Sequence, residues 1–392
     1  MEHSAVTMGS CGLVILAVCL LCSPLGAQQQ GGEGAEKAGE FSIPPVVPLD
    51  AAQLKRLRDL AADDREAAAL AAEAAEKAKG LLSAQPHPLE VIHYEGLVHT
   101  DPRRIATVAK LREMGDVARL VRYWQVSADA RAAETLRKFI LAWTGTYKLT
   151  GNDVNENKFW PMLVAYHALR DSFPGERRKQ VDAWVEHLGR LHVRAVEKSE
   201  HLTNRYSKHV RLAAMAGMIL GRKEWVATAH EGIRRFVTES LYADGTSRDL
   251  KRRDTLTYHA SSLRPPLQLA MLAGAEGRKL YAWQSEKGGS LEKSVDYVVP
   301  YAMGEKTRRE WTRSKVDLDR RRAEAGLDEY EPGRLYEPRR ALKLMEQASY
   351  FDADLLKVVL HLTASEAKRF PTWQTLINAA ARPPADAEDP TG

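Results

Sequence analysis

From residue 102 onward, apolar side chains return every three or four positions, and strand-like alternation is scarce. Val181, Trp184, Val185, Leu188, Leu191, His192 and Ala195 follow the i, i+3, i+4, i+7 rule closely, as do Ala132, Leu136, Phe139, Ile140 and Trp143 one segment earlier. Breakers at Ser127, Thr150-Gly151, Pro174-Gly175, Gly221, Asp244-Gly245, Gly274 and Gly277 divide the pattern. The predicted helices run over 102–125, 128–144, 156–173, 176–197, 206–220, 223–241, 258–273 and 290–303. Residues 208–220 are apolar nearly all round and must be buried, whereas 224–241 are amphipathic. Short connections make neighbours antiparallel, so this alternation predicts a ring of helical hairpins with inner and outer members. No self-similarity of solenoid length runs through the chain.

Ahead of this pattern, residues 49–82 are rich in Ala, Glu, Lys and Arg and predict one long, mostly exposed helix. Residues 85–102, with their prolines and Gly96, read as an irregular surface segment, 28–48 as a linker, and 383–392 as a disordered tail. One domain over 49–382 is expected.

Composition adds limits. With 44% apolar and 28% charged residues the 392-residue chain is an ordinary globular protein, long enough to bury a large core. A short apolar run from Cys11 to Cys22, then small residues up to Ala27, reads as a secretory signal over 1–27, so a periplasmic or secreted protein is expected, off the membrane once the signal is removed. All three cysteines lie in that segment, which excludes disulfides, thiolate metal sites and cysteine nucleophiles from the mature chain. The formal charge of +5 becomes +6 without the signal, because Glu2 leaves and no base does. That mild excess suits an acidic partner and falls short of a nucleic-acid-binding signature. There is no phosphate-binding loop, dinucleotide fingerprint, His-Glu-x-x-His or nucleophile elbow.

The polar groups crowd into residues 202–269. Thr203-Asn204-Arg205-Tyr206-Ser207-Lys208-His209 opens the buried helix, where backbone N–H groups and cations together make an anion site. Asn204 is equally a plausible N-cap. Lys251-Arg252-Arg253 precedes Tyr258 and His259, which start the next apolar helix. His259 reads as core or catalytic, Tyr258 as packing or catalytic, and the basic triplet as a site or a solvated loop. Asn155, in the polar loop Asn152 to Lys158, reads as capping or as a contact to sugar hydroxyls, and Trp160 and Trp311 as the tryptophans best placed to face a cleft. The runs Arg308-Arg309 and Arg320 to Arg322 read as surface decoration.

In order, these pieces resemble the alginate lyase family, helical-toroid polysaccharide lyases of family 5 and relatives such as the glucuronan-cleaving family 38. The resemblance runs through Gly96 to Arg103, Ala142 to Lys148, Gly151 to Glu156, Asp249 to Arg253, Leu256 to His259, Pro265 to Leu267 and Ser290 to Tyr301, roughly residues 90–305. It implies an all-α, incomplete (α/α) toroid of antiparallel hairpins, acting as a monomer on an acidic polysaccharide without metal or cofactor. The family's Asn-Asn-His-Ser falls on Asn204, Arg205, Tyr206 and Ser207, so Tyr206 stands where the family has histidine, and His209 where it has an aromatic residue. The family's two arginines before Tyr-His-Asn become Lys251 and Arg252, seven and six residues ahead of Tyr258, and Ala260 replaces the final Asn.

Such an enzyme performs β-elimination at a uronate: donors around the carboxylate stabilise the dianion-like intermediate, a base takes the C5 proton, and an acid protonates the leaving O4. The implied assignment makes Tyr258 base and acid, with His209 or Tyr206 as second proton-transfer group. Asn204, Arg205 and Arg252 hold the carboxylate, assisted by Arg253, Lys251, His259, Asn155 and Trp160. A tyrosine base needs positive charge beside it, which Arg252, Arg253 and Arg205 could supply. Two other readings fit the same residues: a toroid glycoside hydrolase using Asp153, Asp244 or Asp249, and a non-catalytic exported polyanion binder.

Overall fold

A computed structural model of the chain describes residues 43–382, so the expected signal, most of the linker and the tail lie outside the described residues. Two helices open it, α1 (Ala51–Asp63) and α2 (Arg65–Lys79). Asp50 closes a capping box with Gln53 at the start of α1, and Asp64, in extended conformation, accepts from the Glu66 and Ala67 amides at the start of α2. That cap at Asp64 is why the single helix expected over 49–82 is two. Nor are they mostly exposed, since Leu57, Ala67 and Ala78 are fully buried.

Then come α3 (Pro102–Leu111) and α4 (Glu113–Ser127), which meet at Arg112 where one helix was expected, followed by α5 (Ala130–Thr146), α6 (Asp153–Glu156), α7 (Trp160–Leu169) and α8 (Gly175–Lys198). The central pair is α9 (Asn204–Leu220) and α10 (Lys223–Ser240), with Gly221 left-handed between them at φ 69°. After them follow α11 (Arg248–Arg253), α12 (Leu256–Leu272) and α13 (Gly274–Ala282). The helix expected over 290–303 is broken by Pro300 into α14 (Leu291–Asp296) and α15 (Val299–Ala302). Outside the predicted ranges lie α11 and α13, and four helices that follow residue 303: α16 (Asp317–Glu324), α17 (Leu342–Ala348), α18 (Leu356–Thr363) and α19 (Trp373–Ala381).

The packing is the expected all-α toroid. An inner course runs α4, α7, α9, α12, α17, α19, while α5, α8, α10, α13 and α18 pack on it from outside. The helix α9 touches α6, α7, α8, α10 and α12, which accounts for its apolar circumference. Close approach of the outer helices needs glycine: a Cβ on Gly189 would fall 2.1 Å from the Trp225 ring.

The ring's first and last helices are bridged by α1, which packs against both α4 and α19. Gln53 and Arg56 donate to the Ala381 and Ala380 carbonyls, and Arg58 donates to the Gln125 carbonyl. The end of the expected linker joins in. Val46, Val47 and Leu49 are buried, and the Pro45, Val46 and Val47 carbonyls accept from Arg122, Trp160 and Gln125. Residues 43–48 are therefore structural, because three side chains of the ring consume their backbone acceptors. Replacing Leu57 with Ala should cost roughly 2–5 kcal/mol of unfolding free energy in a urea titration, the price of a core cavity. A loss within about 0.5 kcal/mol, typical of surface positions, would mean that α1 is not part of the ring.

Candidate active site

The four-residue helix α6 positions two carboxylates, Asp153 and Glu156, both fully buried. Asn152 caps it through the Val154 and Asn155 amides. Glu156 accepts from the Thr150 and Gly151 amides at 2.6 and 2.9 Å through Oε1, and its Oε2 lies 2.8 Å from His192 Nε2. Burial raises its pKa, but His192 and those amides outweigh burial and hold the carboxyl below its ordinary value. His192 Nδ1 in turn lies 2.7 Å from His209 Nδ1. Burial first, and the neighbouring His192 second, push His209 down to about 4.

Asp153 faces the first turn of α9. Arg205 Nε donates to it at 2.7 Å, Lys208 Nζ stands 3.8 Å away, and His209 Nε2 stands 3.8 Å away. Burial pulls the Lys208 ammonium down to about 8. The cap of α9 is Thr203, one residue before the Asn204 expected there. Asn204 is the first helical residue, and its backbone N–H donates to Asp249 Oδ2 at 2.7 Å. Asp249 is pushed up to about 6 by burial, against the opposing pull of that amide and of Arg253, Lys208 and Arg252.

Tyr258 opens α12 in a second polar group. Arg253 is held by Asp319, with Nε donating at 3.0 Å, and lies over the Tyr258 ring, its guanidinium carbon 3.5 Å from the centroid. Arg322 Nη1 donates to the Tyr258 hydroxyl at 3.1 Å and to Tyr330 at 2.7 Å. The two phenols are 3.3 Å apart, and Trp311 closes edge-on against Tyr258. Burial, with Tyr258 beside it, pushes the Tyr330 phenol well above its ordinary value, so it remains a donor.

Arg322, Tyr330 and Trp311 arrive on a strap that folds back over the start of α12. Trp311 and Lys315 amides donate to the Asp254 and Arg252 carbonyls, and Glu310 accepts from the Leu256 amide and the Thr255 hydroxyl. Residues 95 and 96 tie the two polar groups into one rim: Glu95 pairs with Arg205 at 3.1 Å, and the Gly96 carbonyl accepts from Arg321, the neighbour of Arg322. Two clefts lie elsewhere, one of 720 Å³ beside Ala72, Lys79 and Arg131 and one of 400 Å³ beside Asp244, Tyr297 and Lys306; neither includes Tyr258 or Asn204.

A profile of the alginate lyase family matches residues 55–308. The chain belongs to the alginate lyase family. Its enzyme class is accordingly polysaccharide lyase. Among solved structures, an alginate lyase from Bacteroides ovatus is 15% identical, covers 83% of this chain and 97% of its own, and gives a TM-score of 0.58. Alginate lyase A1-III from Sphingomonas species A1 is 16% identical over 76% of this chain and 87% of its own, with a TM-score of 0.53. A Tyr-to-Phe variant of alginate lyase A1-III, complexed with a tetrasaccharide, is 15% identical over 76% of this chain and 85% of its own, with a TM-score of 0.54. At such identities the likeness is one of fold. A search of curated proteins finds no match.

Of the residues expected at the site, Asn204 and His209 belong to the first polar group, and Arg253 and Tyr258, with Arg252 beside them in sequence, to the second. Arg252 is exposed, and its side chain has no ion-pair partner among the described residues. Others are corrected by their surroundings. Tyr206 is 1% exposed and turned toward α10, its ring under Arg235 and its hydroxyl against Gly232, so it cannot reach a substrate. His259 is fully buried between the Ser247 hydroxyl and the Ser294 carbonyl, both at 2.8 Å; it is a satisfied core histidine. Trp160 is buried, donating to Val46 under the Arg211 guanidinium, so it offers no sugar-stacking face. Asn155 spends its amide on the Ile92 carbonyl and the Glu95 N–H. Arg205, expected to hold the carboxylate, is matched by Asp153 and Glu95, and Lys251, expected to assist, lies over the Tyr242 ring and 3.7 Å from Asp244.

Sequence reasoning missed Arg322, Tyr330 and Asp319, and took His192 for an apolar-stripe residue. The signal for Arg322 was the run Arg320 to Arg322, read as decoration.

Two outcomes follow from the buried groups. Asp249 binds its proton more tightly folded than unfolded, so between its unfolded value near 3.8 and about 6 the fold loses stability as pH rises. Asp249→Asn removes that loss, and by pH 7.5 the variant should gain about 2–3 kcal/mol relative to its position at pH 4. Denaturant titrations at both pH values check this, and an equal gap at both would contradict it. Tyr206→Phe should leave lyase activity intact and stability within about 1 kcal/mol, since the hydroxyl makes no well-formed hydrogen bond.

Proposed function

We propose that the protein cleaves a uronate-containing polysaccharide, alginate or a related uronan, by β-elimination at the rim around Tyr258, leaving a 4,5-unsaturated uronate end. The observation that carries this reading is the setting of the Tyr258 phenol: Arg322 donates to its oxygen at 3.1 Å while Arg253 covers its ring. Charge that develops on this oxygen is met by fixed donors needing no reorganisation, the condition for electrostatic catalysis.

The chemistry divides between two groups. His209 takes the proton from C5, the electron pair of that C–H bond forms the C4–C5 double bond, and the C4–O4 bond breaks. Tyr258 gives its proton to the departing O4, and Arg322 and Tyr330 hold the resulting phenolate. Arg252 and the Asn204 side chain hold the uronate carboxylate, with Lys208 adding positive charge at neutral pH, below its value of about 8. This departs from a single phenol acting as base and acid, and it is favoured because His209 keeps a ring nitrogen without a hydrogen-bond partner on the Asp153 side. The carboxylates a hydrolase would need are engaged already: Asp153 by Arg205, Asp244 by the Thr246 amide and hydroxyl, and Asp249 by the Asn204 amide. Export to the periplasm or beyond, where such polymers are met, belongs to the same proposal and rests on the apolar N-terminal run.

Tyr258→Phe should lower the ultraviolet absorbance rise of unsaturated uronate ends roughly 10²–10⁴-fold, with helical circular dichroism unchanged. Polymannuronate, polyguluronate and glucuronan, assayed in parallel, identify the polymer. Undiminished product formation by the variant would overturn the assignment.

A further inference from the structure

Behind His209 lies a line of buried groups that the reaction above does not use. It runs from Glu156 through His192 to His209, in contacts of 2.8 and 2.7 Å, with Glu156 and His192 fully buried and the His209 side chain 15% exposed. An imidazole–imidazole contact at that distance requires one donor and one acceptor, so the line has a direction. Glu156 Oε1 is occupied by two amide donors, and its Oε2 can only accept, so His192 must carry its proton on Nε2. With that single proton on Nε2, His192 presents a lone pair at Nδ1. That lone pair obliges His209 to carry its proton on Nδ1. What remains to His209 is a bare lone pair at Nε2, on the side where it meets no hydrogen-bond donor and the nearest charged group is Asp153 at 3.8 Å.

We propose that Glu156 and His192 are positioning residues that fix His209 in the tautomer able to accept a proton, and that they take up the charge this creates. The inference rests on the lyase reading of the site and adds the source of His209's basicity. When Nε2 of His209 binds the C5 proton, its Nδ1 proton passes to His192 Nδ1. His209 is neutral again, and the positive charge sits on His192 beside the Glu156 carboxylate. One N–H bond forms and one breaks at His209, one forms at His192, and the proton count is unchanged. Burial disfavours a charged His209, which is held down at about 4; moving the charge to the side of a buried anion relieves that penalty. The groups facing His209 are His192 from α8, Asp153 and Glu156 from α6, and Arg205 and Lys208 from α9 itself. Of these, His192 is hydrogen-bonded to it directly, and Glu156 reaches it through His192.

Glu156→Gln tests this sharply, because the amide can still accept from Thr150 and Gly151 while turning an N–H toward His192. The line then reverses: His192 becomes protonated on Nδ1, and His209 is forced to protonate Nε2. Nitrogen-15 NMR of the histidine-labelled full chain should show His209 protonated on Nδ1 in the wild type and on Nε2 in the variant. The kcat of the variant should fall on the order of 10⁴-fold with KM little changed, as when an amide inverts the histidine of a serine-protease triad. Wild-type His209 protonated on Nε2 would overturn the proposal, as would a Glu156→Gln enzyme with wild-type kcat. The wild-type spectrum does not depend on whether the variant folds. Tyr258→Phe retaining activity beside the expected His209 tautomer would sink the reaction assigned to the site while leaving the tautomer standing, so the two failures are separable.

Discussion

A helix that is buried on every side can meet substrate only at its ends, and this constraint organises the whole site. Five other helices wrap α9, so none of its flanks is open to solvent. Its first two turns carry Arg205, Lys208 and His209, with the α9 dipole adding its positive end, and the one cation deeper in the helix, Arg211, is taken up by Gln268 and Asn157. Several elements bring polar groups to that point. The short α6 brings two carboxylates from one side, α11 brings Asp249 and a row of cations from another, and the start of α12 brings Tyr258.

Burying so many charges requires that they be matched, and the matching explains which groups remain to do chemistry. Arg205 is held by Asp153 and Glu95, and Arg253 by Asp319. Pairing of this kind removes most of their reach toward a bound anion and makes them scaffolding. Arg252, exposed and without a carboxylate, keeps its charge for a ligand. The raised Asp249 and the lowered Lys208 are signs of the same crowding, since burial acts on each against its charged form.

Most of the helical ring was legible because apolar period is a local property. Val181 to Ala195 announce α8, and the apolar stretch after Lys208 announces α9, from neighbours a few residues apart. The strap over Tyr258 was not legible, for a physical reason: its partners lie far away in sequence, with Arg322 reaching Tyr258 across 64 positions. In the run Arg320 to Arg322 the three side chains diverge. Arg320 pairs with Asp317 and Arg321 with the Gly96 carbonyl, and Arg322 alone turns inward to the phenols. Three identical letters give no hint of that. His192 occupied a core position by spacing, and its polar role depends on Glu156, 36 residues away. Laying a family pattern on the chain placed Tyr206 in line for chemistry, whereas Tyr206 faces α10 and His209 faces α6 and α8.

The bridge made by α1 carries a consequence for how the molecule comes into being. Gln53 and Arg56 bind carbonyls 328 and 324 residues further along the chain. During synthesis those acceptors do not exist until the final helix has been made. Until then α1 can dock only on α2 and α4, and the part of it that meets α19 waits while the hairpins behind it assemble. Non-local contacts of this span are slow to form. The ring is locked last by the part of the domain that emerged first.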